Sequence, residues 1–191
     1  MRSRLKIFLV AASLAVIGWP SQASADGFFS PWVGVNFAND PGDGRGSFGL
    51  TAGSMGGGVI GGEFDLGYSP SFFGSSTAFG SNNVLDIMGN VIIGVPIGGT
   101  HGGGIRPYVT GGVGLIRSVV EGPANLLDIK NNDFGFNLGG GVMGFFNQHV
   151  GLRGDLRFMR TFNADDTTTN PLDFNLGNFD FWRGSIGVVL R

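Results

Sequence analysis

From about residue 28 onward, apolar and polar residues alternate with period two, the spacing of strands rather than helices. The strictest stretch is Val150-Gly-Leu-Arg-Gly-Asp-Leu-Arg-Phe158. One face carries Val150, Leu152, Gly154, Leu156 and Phe158; the other carries Gly151, Arg153, Asp155 and Arg157. Ile60 to Tyr68 sets Ile60, Phe64, Leu66 and Tyr68 against Glu63 and Asp65. In Leu85 to Val95 the residues Leu85, Ile87, Val91, Ile93 and Val95 oppose Asp86, Met88, Asn90 and Ile92. Val109, Val113 and Leu115 oppose Thr110, Gly112 and Gly114, and Phe134, Phe136, Leu138 and Val142 oppose Gly135, Asn137, Gly139 and Gly141. Near the C-terminus Trp182, Ile186, Val188 and Leu190 oppose Arg183, Ser185 and Gly187. Two weaker segments, roughly 28–38 and 47–56, bring the expected strands to eight.

The connectors between these strands alternate in length. Asn39–Gly46, Pro70–Asn82, Val119–Asn132 and Asn163–Gly177 are long, polar and turn-rich, whereas Gly56–Gly58 and Asn147–His149 are short. Pro96–Gly104 is intermediate. Short turns at one end, long loops at the other and strands of about ten residues are the pattern of an outer-membrane barrel. Only a closed barrel crosses lipid with strands, because hydrocarbon offers no partner to an unpaired backbone group. Pro31, Pro96 and Pro107 are expected at strand ends, where a missing N–H is cheap. Phe28, Phe29, Phe48, Tyr68, Phe145, Phe146, Phe162, Phe179 and Trp182 are expected to form interfacial girdles.

The first 25 residues read as an address. Arg2, Arg4 and Lys6 precede the apolar run Ile7–Ile17, and Ala23-Ser-Ala25 supplies a small-x-small cleavage site. The apolar core is shorter than the roughly 20 residues a spanning helix needs. A cleaved signal peptide over 1–25 and a barrel domain over 26–191 are therefore expected. Loss of the leader leaves 9 basic against 14 acidic residues, a net charge of −5. That balance argues against nucleic-acid binding, which rests on neutralising phosphates. Composition agrees with a β-rich chain. Of 191 residues 37 are Gly, without a collagen period, and 18 are Phe, too apolar for disorder. The absence of Cys removes disulfides and thiolate chemistry.

Arg106-Pro-Tyr-Val-Thr-Gly-Gly-Val-Gly-Leu115, Gly139-Gly-Gly-Val-Met-Gly144 and Val150-Gly-Leu-Arg-Gly-Asp-Leu-Arg157 resemble the small OmpA/OmpX-type outer-membrane β-barrel family. The resemblance spans roughly 28–191. It implies an eight-stranded antiparallel up-and-down transmembrane β-barrel, used by members as structural proteins, adhesins or narrow pores. Members usually end in an aromatic residue read by the barrel-assembly machinery, whereas this chain ends Val188-Val-Leu-Arg191.

Candidate chemistry concentrates on the polar faces. Glu63, Asp65 and Asp86 are expected to point inward from strands 3 and 4, and Arg153, Asp155, Arg157 and Arg183 from strands 7 and 8. Arg106 is left open. Paired carboxylates in a soluble enzyme would suggest acid–base catalysis. The interior of an eight-stranded barrel is instead just wide enough to be filled by side chains, so a self-neutralising structural network is the expectation. His101 and His149 fall in expected periplasmic turns without a partner histidine, and Ser185 has no histidine beside it, so neither a metal site nor a Ser/His pair is expected. Asp40–Gly44 and Asp165–Thr169 lack the spaced ligands of a calcium loop. Gly98–Gly104 lacks the Lys-Ser/Thr of a phosphate loop.

The reading is a bacterial outer-membrane protein with no catalysis and no cofactor, structural or surface-interacting through loops at Asp40–Arg45, Ser71–Ser81, Glu121–Asn131 and Asp165–Pro171. The alternative is a small passive pore; a soluble lipocalin-like barrel would want an apolar lumen. Expected partners are outer-membrane lipid, the barrel-assembly machinery and an extracellular ligand at the loops, with the chain a monomer.

Overall fold

Eight antiparallel strands follow one another up and down the chain. They are β1 (Ala25–Phe37), β2 (Arg45–Gly56), β3 (Ile60–Pro70), β4 (Asn82–Gly94), β5 (Gly104–Glu121), β6 (Asp128–Phe145), β7 (Val150–Thr161) and β8 (Asp180–Leu190). Each pairs with the next, and β8 pairs back on β1 to close a barrel. The computed structural model describes residues 25–37, 44–72, 82–99, 102–121, 128–162 and 180–191. The segment expected to be a leader, the loops around Asp40 and Asp165, and His101 lie outside the described residues.

The register sets the shape. Stepping between partners from Gly27 leads through Ser54, Gly62, Val91, Gly111, Leu138, Phe158 and Trp182 back to β1 at Phe37, ten residues further on. With standard strand spacings, that stagger over eight strands gives a tilt of roughly 40° and a backbone radius of roughly 8 Å. The lumen is therefore one side chain deep from each wall.

Alternation assigns the faces. Val33, Phe64, Val91, Val109, Leu138, Leu156 and Ile186 are exposed on the outer surface. Ser30, Thr51, Glu63, Asp86, Thr110, Asn137, Arg157 and Arg183 are buried inside. A surface of aliphatic side chains outside and ionised groups inside inverts the arrangement of a soluble domain.

Three expectations need correcting. The connector between β5 and β6 is shorter than the expected Val119–Asn132, because those strands stay paired as far as Glu121 and Asp128. Its polar residues resemble a loop, but the ladder joins backbone groups and tolerates polar side chains above the apolar belt. Likewise Arg45 already belongs to β2. Pro31 does not sit at a strand end; it lies in the middle of β1. Phe28 and Phe145 are not girdle residues. Each shares the parity of its strand's inward face and is buried in the lumen, while Phe29, Phe48, Phe146, Phe162 and Trp182 are exposed.

The turns at one end are tight. Gly57 and Gly58 hold φ of 57° and 69° in the three-residue turn between Gly56 and Ile60, a left-handed conformation that glycine adopts without cost. Asn147 Oδ1 accepts from the backbone N–H groups of His149 (2.8 Å) and Val150 (2.9 Å), closing the β6–β7 turn. The intermediate connector after β4 is a hairpin extension in which Ile97 and Ile105 exchange both backbone hydrogen bonds.

Candidate functional site

The inward faces of β3, β4, β7 and β8 meet in the middle of the lumen. Glu63 and Asp65 stand two apart on β3, Asp86 on β4, Arg153, Asp155 and Arg157 at alternate positions of β7, and Arg183 on β8. Their side chains are each at most 4% exposed. The structure brings all seven into one connected network.

Glu63 is one hub. Its Oε1 accepts from Arg157 Nη2 (2.7 Å), Thr110 Oγ1 (3.0 Å) and Asn90 Nδ2 (3.3 Å), and its Oε2 from Arg153 Nη2 (2.9 Å). Asp155 is the other. It accepts from Arg157 Nε (2.6 Å) and Nη2 (3.1 Å), from Arg153 Nη2 (3.0 Å) and from the Tyr108 hydroxyl. Tyr108 in turn accepts from Arg153 Nε at 2.7 Å. Arg183 joins Asp65 and donates to Asp86 at 2.9 Å, while Thr51 donates to Asp65 at 2.6 Å. Arg183 also lies 4.3 Å from the centroid of the Trp32 ring. Ionised groups removed from water are tolerable only when satisfied in this way.

Glycines make the room. A Cβ at Gly141 would come within 2.6 Å of the Tyr108 hydroxyl, and one at Gly67 would intrude on the Asp86–Arg183 pair. On β6 a Cβ at Gly139 would likewise stand 2.8 Å from Arg157 Cγ, so the glycines leave room beside Tyr108, Thr110 and Asn137 for the guanidiniums of β7.

Arg106 faces inward and is buried, but it belongs to a second cluster at the short-turn end. There Asp26 lies 3.6 Å from Arg106 and 3.4 Å from Arg191, and both guanidiniums cover the Phe145 ring. Four acids meet three bases in the centre and one acid meets two at the mouth. Apolar side chains separate the layers from the ends. Phe28, Met55, Ile92, Met143 and Val189 pack on the short-turn side, and Val84, Met88 and Ile116, with Phe72 against them, on the loop side.

Sequence reading missed Tyr108, Thr51 and the Asp26–Arg191 contact. Parity alone would have turned Tyr108 inward with Thr110. Ser185 stands opposite Asp155 in the β7–β8 register, while His149 is exposed in the β6–β7 turn. Among the described residues no three His, Cys, Asp or Glu side chains are grouped to hold a metal.

A closed antiparallel barrel, apolar outside and ionic inside, is a transmembrane β-barrel. The chain belongs to the outer membrane protein beta-barrel domain family, which it matches over residues 9–179. No curated protein matches it. Among solved structures it is similar to Neisserial surface protein A, with a TM-score of 0.65 and 13% identity, covering 87% of this chain and 98% of that one. The N-terminal β-barrel domain of OprF from Pseudomonas aeruginosa matches with a TM-score of 0.51 and 13% identity over 87% and 98%. Ail, the attachment invasion locus protein of Yersinia pestis, matches with a TM-score of 0.50 and 10% identity over 86% and 99%. Likeness at these identities is a likeness of fold, and the fold is that of outer-membrane barrels.

Proposed function

We propose that this is a structural barrel of the bacterial outer membrane that meets its surroundings through its outer loops and performs no catalysis. The observation that carries the reading is the filled lumen, in which seven charged side chains are committed to one another between two apolar layers. A guanidinium held by two or three carboxylates is an anchor for the walls rather than a relay for solutes. Residues 1–25 act as the cleaved export signal. Surrounding lipid, the assembly machinery and a ligand at the loops are its partners, and a sheet without free edges suits a monomer.

Liposome swelling tests the lumen. Purified protein should admit small sugars no faster than protein-free vesicles; rapid swelling would replace this reading with that of a narrow pore. The topology has its own test, aided by the absence of native cysteine. Cysteines placed at Ser75 and Thr168, both outside the described residues, should react with an impermeant maleimide on intact cells. Reaction only after lysis would reverse the orientation.

A further inference from the structure

The junction of the first and last strands differs from the other seven. Pairing there joins Phe29 to Leu190 and resumes only at Trp32 and Gly187, so that Ser30 and Pro31 are skipped. Pro31 has no N–H to give to a ladder. In the register of the seam Pro31 stands across from Val188, and both share the outward parity of Val33 and Ile186. The missing rung leaves a groove of about 340 Å³ on the outer surface, lined by Pro31, Trp32, Val33, Leu152, Ile186 and Val188 with the backbone of Gly187. Val33 and Ile186, on its banks, are 61% and 59% exposed. No charged residue lines it.

We propose that this seam seats one acyl chain of a membrane phospholipid. The groove is continuous with the apolar belt that meets lipid, and its volume lies within the range of small-ligand sites. Against a smooth wall lipid chains pack without help; a notch left empty forfeits dispersion contacts that a chain lying in it recovers. Its depth selects the source. Leu152 and Val188 lie two residues from the short-turn ends of β7 and β8. Those turns are periplasmic in such barrels, so the groove opens into the phospholipid leaflet. The aromatic cluster of Phe134, Phe136, Phe158, Phe162 and Trp182 marks the other boundary.

The test is photolabelling of the protein in liposomes containing a phosphatidylethanolamine with a diazirine in mid-chain, with labelled residues mapped by mass spectrometry. Label on Val33, Leu152, Ile186 and Val188 should exceed several-fold that on Val91 and Val109, which are comparably exposed on the opposite wall. Even labelling around the barrel would overturn the proposal. So would displacement of the groove label by added lipopolysaccharide, which would name a different lipid. Val33→Phe, which fills the groove, should bring Leu152 and Val188 down to the level of Val91; unchanged label would count against a seated chain. Should that variant fail to show the folded gel form, the wild-type map alone decides.

Discussion

Asp155→Ala is expected to abolish the heat-modifiable gel shift of the folded barrel, or to lower its onset temperature markedly. The carboxylate takes hydrogen bonds from Arg153, Arg157 and Tyr108, all of them in the lumen. Its removal strips Arg153 and Arg157 of their shared partner, leaving Arg157 Nε and the Tyr108 hydroxyl without the acceptor each donates to. Breaking a buried pair from one side costs about 3–5 kcal/mol, a large part of the roughly 5–15 kcal/mol that holds an ordinary domain folded. Asp166→Ala, in the connector after β7, should leave the gel shift unchanged. If Asp155→Ala instead folds as well as wild type and conducts ions, the lumen is wet and the protein is a pore.

The second large effect belongs to the outer surface. Leu156→Arg should cost about 2–4 kcal/mol in a denaturant titration in lipid, the range for a cation at the midplane of such barrels. Leu156 lies halfway along β7, 47% exposed, and is paired with Gly140 and Gly184. Neither register partner carries a side chain, and the diagonal neighbours Leu138, Val142, Trp182 and Ile186 are apolar, so nothing beside it pairs the guanidinium. Ser75→Arg, between β3 and β4, should cost almost nothing. Equal effects at the two positions would mean that the faces are assigned the wrong way round.

Much of this was legible because a strand's period is two. The turn that puts Leu156 outward puts Arg157 inward, whatever the partner strands do, and strict alternation in β7 and β3 marked their charged faces. What parity cannot supply is the stagger. Arg183 is adjacent to Asp155 by strand order, yet its register partner is Arg157 and its ion pairs run across the lumen to Asp65 and Asp86. Those pairings depend on the ten-residue climb of the register round the barrel, a property of closure that no single segment encodes. The same limit explains Pro31. Proline reads as a strand-end residue because it breaks ladders, whereas the closing seam is a place where a barrel accommodates the break. Phe28 and Phe145 were misplaced by reading aromatic identity ahead of parity.

The unequal strand lengths make the outer rim uneven. β5 runs six residues past Leu115 and β6 begins six before Phe134, all of them paired, which is about 20 Å along the strands. β4 accompanies them as far as Asn82, opposite Val120. β7 ends at Thr161 and β8 begins at Asp180, only a few residues beyond the aromatic cluster. Among the described residues, the paired strands β5 and β6 thus stand up as a parapet above the level at which β7 and β8 end. The hydrogen-bonded ladder fixes the backbone of that crest as far as Glu121 and Asp128, so contact with it there would order little additional chain.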